Sequence, residues 1–61
     1  MSLKEQLIYV RTKLQLTQAE LSEQTGIALI TIARWETIDL KPHVKTYGKF
    51  LAFCEKKGIK F

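Results

Sequence analysis

TQAELSEQTGI, residues 17–27, contains the start signal and the end signal of one short helix. Thr17 and Glu20 have the spacing of a capping box, in which a hydroxyl and a carboxylate each accept a hydrogen bond from a backbone N–H at the helix start. Gly26 marks the end, because glycine adopts the left-handed backbone conformation without a steric penalty. The segment therefore predicts a helix followed by a tight turn.

A first helix is predicted upstream of this segment. Ser2 and Glu5 form a second capping box. Apolar residues then recur at helical spacing as far as Leu14, which indicates an amphipathic helix that ends near that residue.

Residues 28–37 are predicted to form a third helix. Their β-branched side chains would also suit a strand. Ile32 and Trp35 fit one face of a helix, however, and the preceding turn fits a pair of helices. The segment lacks a good N-cap, because Ala28 stands where serine or threonine would be expected.

Residues 38–42 are predicted to form a loop ending in Pro42, and proline suits the first turn of a new helix. The fourth helix then runs to about Lys57, with Gly58 as its stop. Its expected apolar stripe consists of Val44, Tyr47, Leu51 and Cys54, widened by Phe50 and Phe53. We therefore predict an all-α fold, organised as a single domain over residues 1–61.

Composition and charge limit the classes of function that this chain can have. The chain has 61 residues, 46% of them hydrophobic, which suffices for one globular domain with a thin core. Its net charge is +4 and six lysines lie from Lys41 onward, which favours a polyanionic partner, with a solvated lysine face as the alternative. No segment approaches the ~20 apolar residues of a membrane span, and the N-terminus lacks a signal-peptide pattern. We expect a cytoplasmic protein, in agreement with its single cysteine.

Catalytic and metal chemistry are not expected. Cys54 and His43 are the single cysteine and the single histidine, and two ligands do not close a zinc site. On one helix they would lie about three turns apart, too far for a nucleophile to reach its base. The sequence has no glycine-rich phosphate loop. We therefore predict no enzyme, no cofactor and no metal, and interpret Cys54 as a core residue and His43 as a surface residue.

A set of residues gives the chain a more specific resemblance. The set comprises Arg11, residues 17–22, Gly26-Ile27, Ile32, residues 34–36 and Lys41-Pro42. With them the chain resembles, over about residues 3 to 45, the helix-turn-helix family of phage Cro and repressor proteins. The resemblance implies a compact, lambda-repressor-like bundle of four or five helices. The helix over residues 28–37 would enter the major groove, as in a sequence-specific transcription regulator of phage or bacterial type that binds double-stranded DNA.

The resemblance also implies individual roles. Arg34 would contact a base, since it points outward and arginine grips guanine O6 and N7 with two N–H groups; a phosphate contact or plain solubility is the alternative. Gln18 would bind a phosphate and brace a recognition residue. Arg11 and Glu36 would form a partly buried ion pair, and Trp35 would lie in the core. The implied DNA-binding residues are Thr17, Gln18, Ala28, Leu29, Ile30, Thr31, Ala33, Arg34, Thr37, Lys41 and Lys45.

Leu29 and Ile30 depart from the polar residues that relatives often carry at these recognition positions. Their aliphatic groups cannot hydrogen-bond a base edge. They would contact thymine methyl groups, or form a patch for a protein partner, or lie in the core if the helix is rotated. The second interpretation defines the alternative function, a protein-interaction module of the same fold that binds another regulator.

Two further departures concern the segment after Glu36. Relatives usually have Asn-Gly there, whereas this chain has Thr37-Ile38. Asp39 stands where lysine is common, and a carboxylate close to the expected phosphate track would repel DNA. Lys41 and other nearby basic residues would compensate.

A homodimer is the expected form on DNA, because one such domain buries only about 600–1,000 Å² against the duplex. The candidate dimer surface is the aromatic face of the fourth helix and the tail: Phe50, Phe53 and Phe61. The alternative is that these phenylalanines close the core.

Overall fold

Four α-helices form the framework of the protein in a computed structural model that describes residues 1–38 and 40–61. They are α1 (Leu3–Leu14), α2 (Gln18–Thr25), α3 (Leu29–Thr37) and α4 (Val44–Lys56). The described residues contain no strand, so the predicted all-α class is confirmed. The chain measures 25 × 21 × 19 Å along its principal axes. None of the described helices combines the length and the apolar character that crossing a bilayer requires.

Both predicted capping boxes are present. The Ser2 N–H donates to the Glu5 carboxylate at 2.9 Å, and the Glu5 N–H donates to the Ser2 hydroxyl at 3.2 Å. Thr17 and Glu20 repeat the arrangement at 2.9 and 3.1 Å. Each box satisfies two amide groups that have no partner inside the helix, and so fixes where α1 and α2 begin.

Acid should weaken the start of α2. The backbone N–H and the hydroxyl of Thr17 hold the pKa of Glu20 below its ordinary value. A carboxyl group with a lowered folded-state pKa stabilises the fold above its unfolded pKa, and this contribution disappears as the pH falls through the folded value. The protection factor of the Thr17 amide, which is its hydrogen exchange corrected for the pH dependence of the intrinsic rate, should therefore fall in acid. Glu20→Gln, which keeps an acceptor but does not titrate, should lose this acid sensitivity; an unchanged profile would contradict the assignment.

The turn between α2 and α3 is held by hydroxyl groups as well as by glycine. Gly26 has φ 75° and ends α2, as predicted. The Ser22 hydroxyl donates to the carbonyl of Ile27 at 2.6 Å. The Thr25 hydroxyl donates to the Leu21 carbonyl at 2.7 Å and accepts from the Ile27 N–H at 3.2 Å. These bonds satisfy backbone groups at a helix end and set the direction in which α3 departs.

The core forms where α3 packs on α1 and α2, with α4 packed against α2. The loop between α2 and α3 buries Ile27 in the core. Further along α3, Ile32 and Trp35 also point into the core. Burial on that face overrides the strand propensity of the β-branched residues in α3. The buried side chains are Leu7, Val10, Leu21, Ile27, Ile32, Trp35, Phe50, Phe53, Cys54 and Ile59.

Helix α4 differs from the prediction in its start and its rotation. It begins at Val44, with His43 as the N-cap and Pro42 before the cap rather than in the first turn. Val44 is 85% exposed and Leu51 is also exposed, so the predicted stripe through them is wrong. The buried face of α4 consists of Phe50, Phe53 and Cys54 instead. Aromatic rings bury more apolar area than aliphatic side chains do, which favours this orientation.

Candidate nucleic-acid interface

Helix α3 presents one side to the core and another to solvent. Ile32 and Trp35 are buried, and Trp35 lies edge-on to the Phe50 ring at a centroid distance of 6.3 Å. At 100° per residue, the side opposite this pair consists of Ile30, Ala33, Arg34 and Thr37, with Leu29 at its edge. We call these five residues the outer face of α3.

The outer face is largely apolar. Leu29 is 47% exposed and Ile30 is 64% exposed, while Ala33 is half-buried. The interpretation in which Leu29 and Ile30 join the core is therefore wrong, since Ile32 and Trp35 occupy the inward positions. Thr31, also a predicted DNA-binding residue, is half-buried at the flank of the helix. Two adjacent exposed aliphatic side chains at the start of a helix call for a functional explanation.

Arg34 is the charged residue of the outer face. It is exposed and forms no ion pair or side-chain hydrogen bond with the residues that the structure describes. The Thr37 hydroxyl is also exposed but donates to the carbonyl of Ala33 at 2.8 Å. Since the threonine donor is occupied within the helix, the guanidinium supplies the free side-chain donors of this face.

The start of α3 lacks a side-chain cap. Ala28 is exposed and occupies the N-cap position, and its carbonyl accepts from the Thr31 and Ile32 amides at 3.0 and 3.2 Å. The first amide groups of the helix thus have no side-chain acceptor, unlike those of α1 and α2. Exposed amides at a helix start are suited to contact a phosphate.

One carboxylate connects α3 to both preceding helices. The Arg11 guanidinium of α1 pairs with Glu36 at 2.5 Å and also donates through Nε to the Leu16 carbonyl at 3.1 Å. The Gln18 amide of α2 donates to the same Glu36 oxygen at 3.2 Å. The ion pair that the resemblance implied is therefore present. The side chain that Gln18 braces is this buried carboxylate and not an exposed recognition residue, because its amide reaches the inner flank of α3.

The remaining predicted contact residues are accessible. Lys41 and Lys45 are exposed and form no ion pair with described residues. Thr17 is exposed, although its hydroxyl serves the capping box of α2. His43 is exposed as predicted and caps α4, accepting at Nδ1 from the Lys45 N–H at 3.3 Å. Asp39, with its predicted effect on a phosphate track, lies outside the described residues.

The predicted dimer surface needs correction. Phe50 and Phe53 are buried within the single chain, so they close the core and are not available to a second copy. Phe61 alone of the three is exposed; its ring stacks on Phe50 at 6.2 Å and meets the edge of Tyr9 at 6.0 Å. Sequence periodicity did not separate these positions, because apolar residues occur on more than half of the circumference of α4.

Cys54 lies in the core, and burial raises the pKa of its thiol. A protonated, buried thiol is a poor nucleophile and a poor metal ligand, which agrees with its interpretation as a small core residue. Within residues 1–38 and 40–61, no three histidine, cysteine or acidic side chains come together in a way that would hold a metal ion.

Comparisons with protein-family models, with curated proteins and with solved structures gave no match. The resemblance to phage Cro and repressor proteins therefore depends on the residues of this chain alone.

Proposed function

We propose that this protein is a transcription regulator of phage or bacterial type that binds double-stranded DNA sequence-specifically, with α3 in the major groove. The single observation that carries the proposal is the outer face of α3, where Arg34 is exposed and has no described partner. The major groove is about 12 Å wide and admits one α-helix, and arginine is the commonest reader of guanine there.

The surrounding charge supports the proposal. The chain carries a net charge of +4, and the one acidic residue in α3, Glu36, is buried and paired with Arg11. No carboxylate therefore belongs to the outer face to repel a phosphate. Lys41 and Lys45 follow α3 in the chain and are exposed, so they are the candidates for phosphate contacts.

The pairing of α2 with α3 supports it further. The two helices are joined by residues 26–28 and held by the hydroxyl bonds at Ser22 and Thr25. In the helix-turn-helix arrangement the second helix of such a pair lies in the groove, and the first crosses the backbone. Gln18, in the first turn of α2, has its amide nitrogen on Glu36, which leaves its oxygen and the nearby backbone amides for other contacts.

Substitution of Arg34 tests the base contact. We expect Arg34→Ala to cost about 1–3 kcal/mol of binding free energy at one base pair and to relax the preference for that base. Arg34→Lys is the matched control: it keeps the charge but loses the two-pronged hydrogen bond, so binding to random duplex should survive while base preference falls. Sites selected from a random DNA pool by each variant provide the measurement. Identical selected sites for the parent and Arg34→Ala would refute the assignment.

Substitution of Lys45 tests the phosphate contact separately. A lysine that neutralises one phosphate contributes about −0.9 to the slope of log K against log salt. We expect Lys45→Ala to weaken binding to all sequences alike and to reduce the slope by about one. A change in selected sequence, with the salt slope unaltered, would instead mean that Lys45 contacts a base.

The second candidate function is a protein-interaction module that holds another regulator. The observation that favours it is the exposure of Leu29 and Ile30 side by side. A gel shift at low salt and a pull-down with a defined regulator distinguish the two functions. Loss of protein capture on Leu29→Asp, together with no retention of DNA by the parent, would favour the second candidate.

A further inference from the structure

We propose that Leu29 and Ile30 read the 5-methyl groups of thymines that lie beside the guanine bound by Arg34. This inference deepens the proposed DNA binding and rests on it. It specifies the substrate class as a duplex site in which thymines are recognised by their methyl groups and not by hydrogen bonds. The outer face of α3 supports it through the exposure of Leu29 and Ile30, the lack of hydrogen-bond donors on these two side chains, and their spacing from Arg34.

The exposure of the two side chains places them where the DNA would be. Leu29 and Ile30 are the first two residues of α3. In helix-turn-helix complexes the N-terminal residues of the recognition helix contact the base edges. The inward positions are already filled by Ile32 and Trp35, so Leu29 and Ile30 are not needed to complete the core.

The chemistry of the outer face leaves one way to recognise an A·T pair. Leu29, Ile30 and Ala33 carry only hydrocarbon, and the Thr37 hydroxyl donates to the helix backbone. No asparagine or glutamine is present on this face to bond adenine N6 and N7. The thymine methyl is the group of the A·T pair in the major groove that an aliphatic side chain can recognise.

The charge next to Leu29 and Ile30 indicates which kind of partner binds these two side chains. A guanidinium without a described partner lies one turn beyond Ile30, and no carboxylate belongs to the outer face. A partner that offers methyl groups beside anionic phosphates and a guanine acceptor pair fits this combination. Duplex DNA offers all three, whereas an apolar protein groove would leave Arg34 buried and unpaired.

The spacing predicts how the contacted bases are arranged. Ile30 and Arg34 are separated by four residues, or about 6 Å along the helix axis. This rise corresponds to about two base-pair steps of ~3.4 Å. The selected site should therefore contain one or two thymines within about three base pairs of the guanine.

Uracil substitution tests the inference, because uracil differs from thymine only in lacking the 5-methyl group. The probe is the duplex selected by the parent protein, with deoxyuridine replacing thymine at one position at a time. At a contacted thymine we expect the dissociation constant to rise about fourfold, the loss for one buried methyl group. Deoxyuridine outside the contacted positions should change nothing, which controls for an effect of uracil on DNA shape.

Protein variants complete the test. The Leu29→Ala/Ile30→Ala double variant should bind the thymine and uracil duplexes equally, because it lacks the side chains that sense the methyl group. Both positions are exposed and alanine favours helix, so the variant should stay folded, which circular dichroism checks. Leu51→Ala removes an exposed leucine from α4 and should keep the parent's preference for thymine.

The outcomes separate this inference from the proposed function. If the parent binds every uracil duplex as tightly as the thymine duplex and still selects guanine, methyl readout is overturned and DNA binding stands. If the parent discriminates but the double variant discriminates equally, the assignment to Leu29 and Ile30 is overturned. If no duplex is retained at low salt, the proposed function fails, and methyl readout fails with it.

Discussion

The Phe50→Ala variant should be mostly unfolded at 25 °C. Phe50 is 0% exposed, and its ring contacts three other aromatic rings, those of Trp35, Tyr47 and Phe61. Replacing a buried phenylalanine with alanine costs about 3–5 kcal/mol, from lost transfer free energy and from the cavity that remains. A domain of this size rarely has more than about 3–5 kcal/mol of stability in total. Far-UV circular dichroism and urea titration provide the measurement.

Phe61→Ala is the matched control, because it removes the same side chain from the same aromatic cluster at a position that is 50% exposed. It should lose about 0.5–1.5 kcal/mol of unfolding free energy for each of its two aromatic pairs, with Phe50 and with Tyr9, and therefore less than Phe50→Ala loses. If the two variants were equally stable, Phe50 would not hold the central place that its burial indicates. Analytical ultracentrifugation of the parent and of Phe61→Ala would also test whether Phe61, the exposed member of the predicted dimer surface, contributes to a homodimer.

The starts of α1 and α2 and the end of α2 were predictable because their signals are local. A capping box needs two residues at a fixed separation, and both predicted boxes, at Ser2 and at Thr17, form as written in the sequence. Gly26 likewise acts through its own backbone conformation. Such signals do not depend on what packs against the helix, so the sequence alone was sufficient.

The rotation of α4 was not predictable for the opposite reason. Its apolar residues spread over most of the helix circumference, so periodicity leaves several possible inner faces. Phe50 is buried, whereas Val44 and Leu51 are exposed, because the Phe50 ring packs against the rings of Trp35 in α3 and Tyr47 in α4. The sequence leaves open whether the tail from Ile59 packs or frays, because the burial of Ile59 depends on the turn at Gly58, where its N–H donates to the Cys54 carbonyl at 2.8 Å.

The outer face of α3 was predictable as a surface but not as a binding site. Once Ile32 and Trp35 are assigned to the core, the helical period places Arg34 on the opposite side. The same period says nothing about whether aliphatic groups such as Ile30 meet thymine or another protein. That choice depends on the chemistry of the partner, which the DNA experiments above address.

The Arg11→Met variant should lose about 3 kcal/mol of unfolding free energy, the lower end of the cost of breaking a buried ion pair. The side chain of Glu36 is 8% exposed and that of Arg11 is 27% exposed, so the carboxylate is the more deeply buried partner. Its second oxygen, Oε2, already has no hydrogen-bond partner among the described residues. Removing the guanidinium leaves a buried charge whose one remaining side-chain hydrogen bond, among the residues that the structure describes, comes from Gln18.

Substituting the other member of the ion pair, Glu36, should lower the unfolding free energy less. Glu36→Gln leaves Arg11 without its ion pair, but the guanidinium is partly exposed and can be hydrated, and it keeps its bond to the Leu16 carbonyl. We therefore expect Glu36→Gln to cost less than Arg11→Met. Adding Glu36→Gln to Arg11→Met should recover part of the loss, because it replaces a buried charge with a neutral amide.

A double-mutant cycle over these variants measures the coupling, for which contacting charged residues give about 0.5–3 kcal/mol. Urea titration of the parent, the two single variants and the double variant provides the four free energies. A cycle in which the two costs simply add, or in which Glu36→Gln is the worse substitution, would contradict a buried carboxylate that depends on Arg11. Because the same carboxylate also receives Gln18 from α2, a strong coupling would mean that the orientation of α3 against both earlier helices is set at Glu36. Leu29 and Ile30, at the start of α3, would then depend for their position on a contact made near the end of that helix.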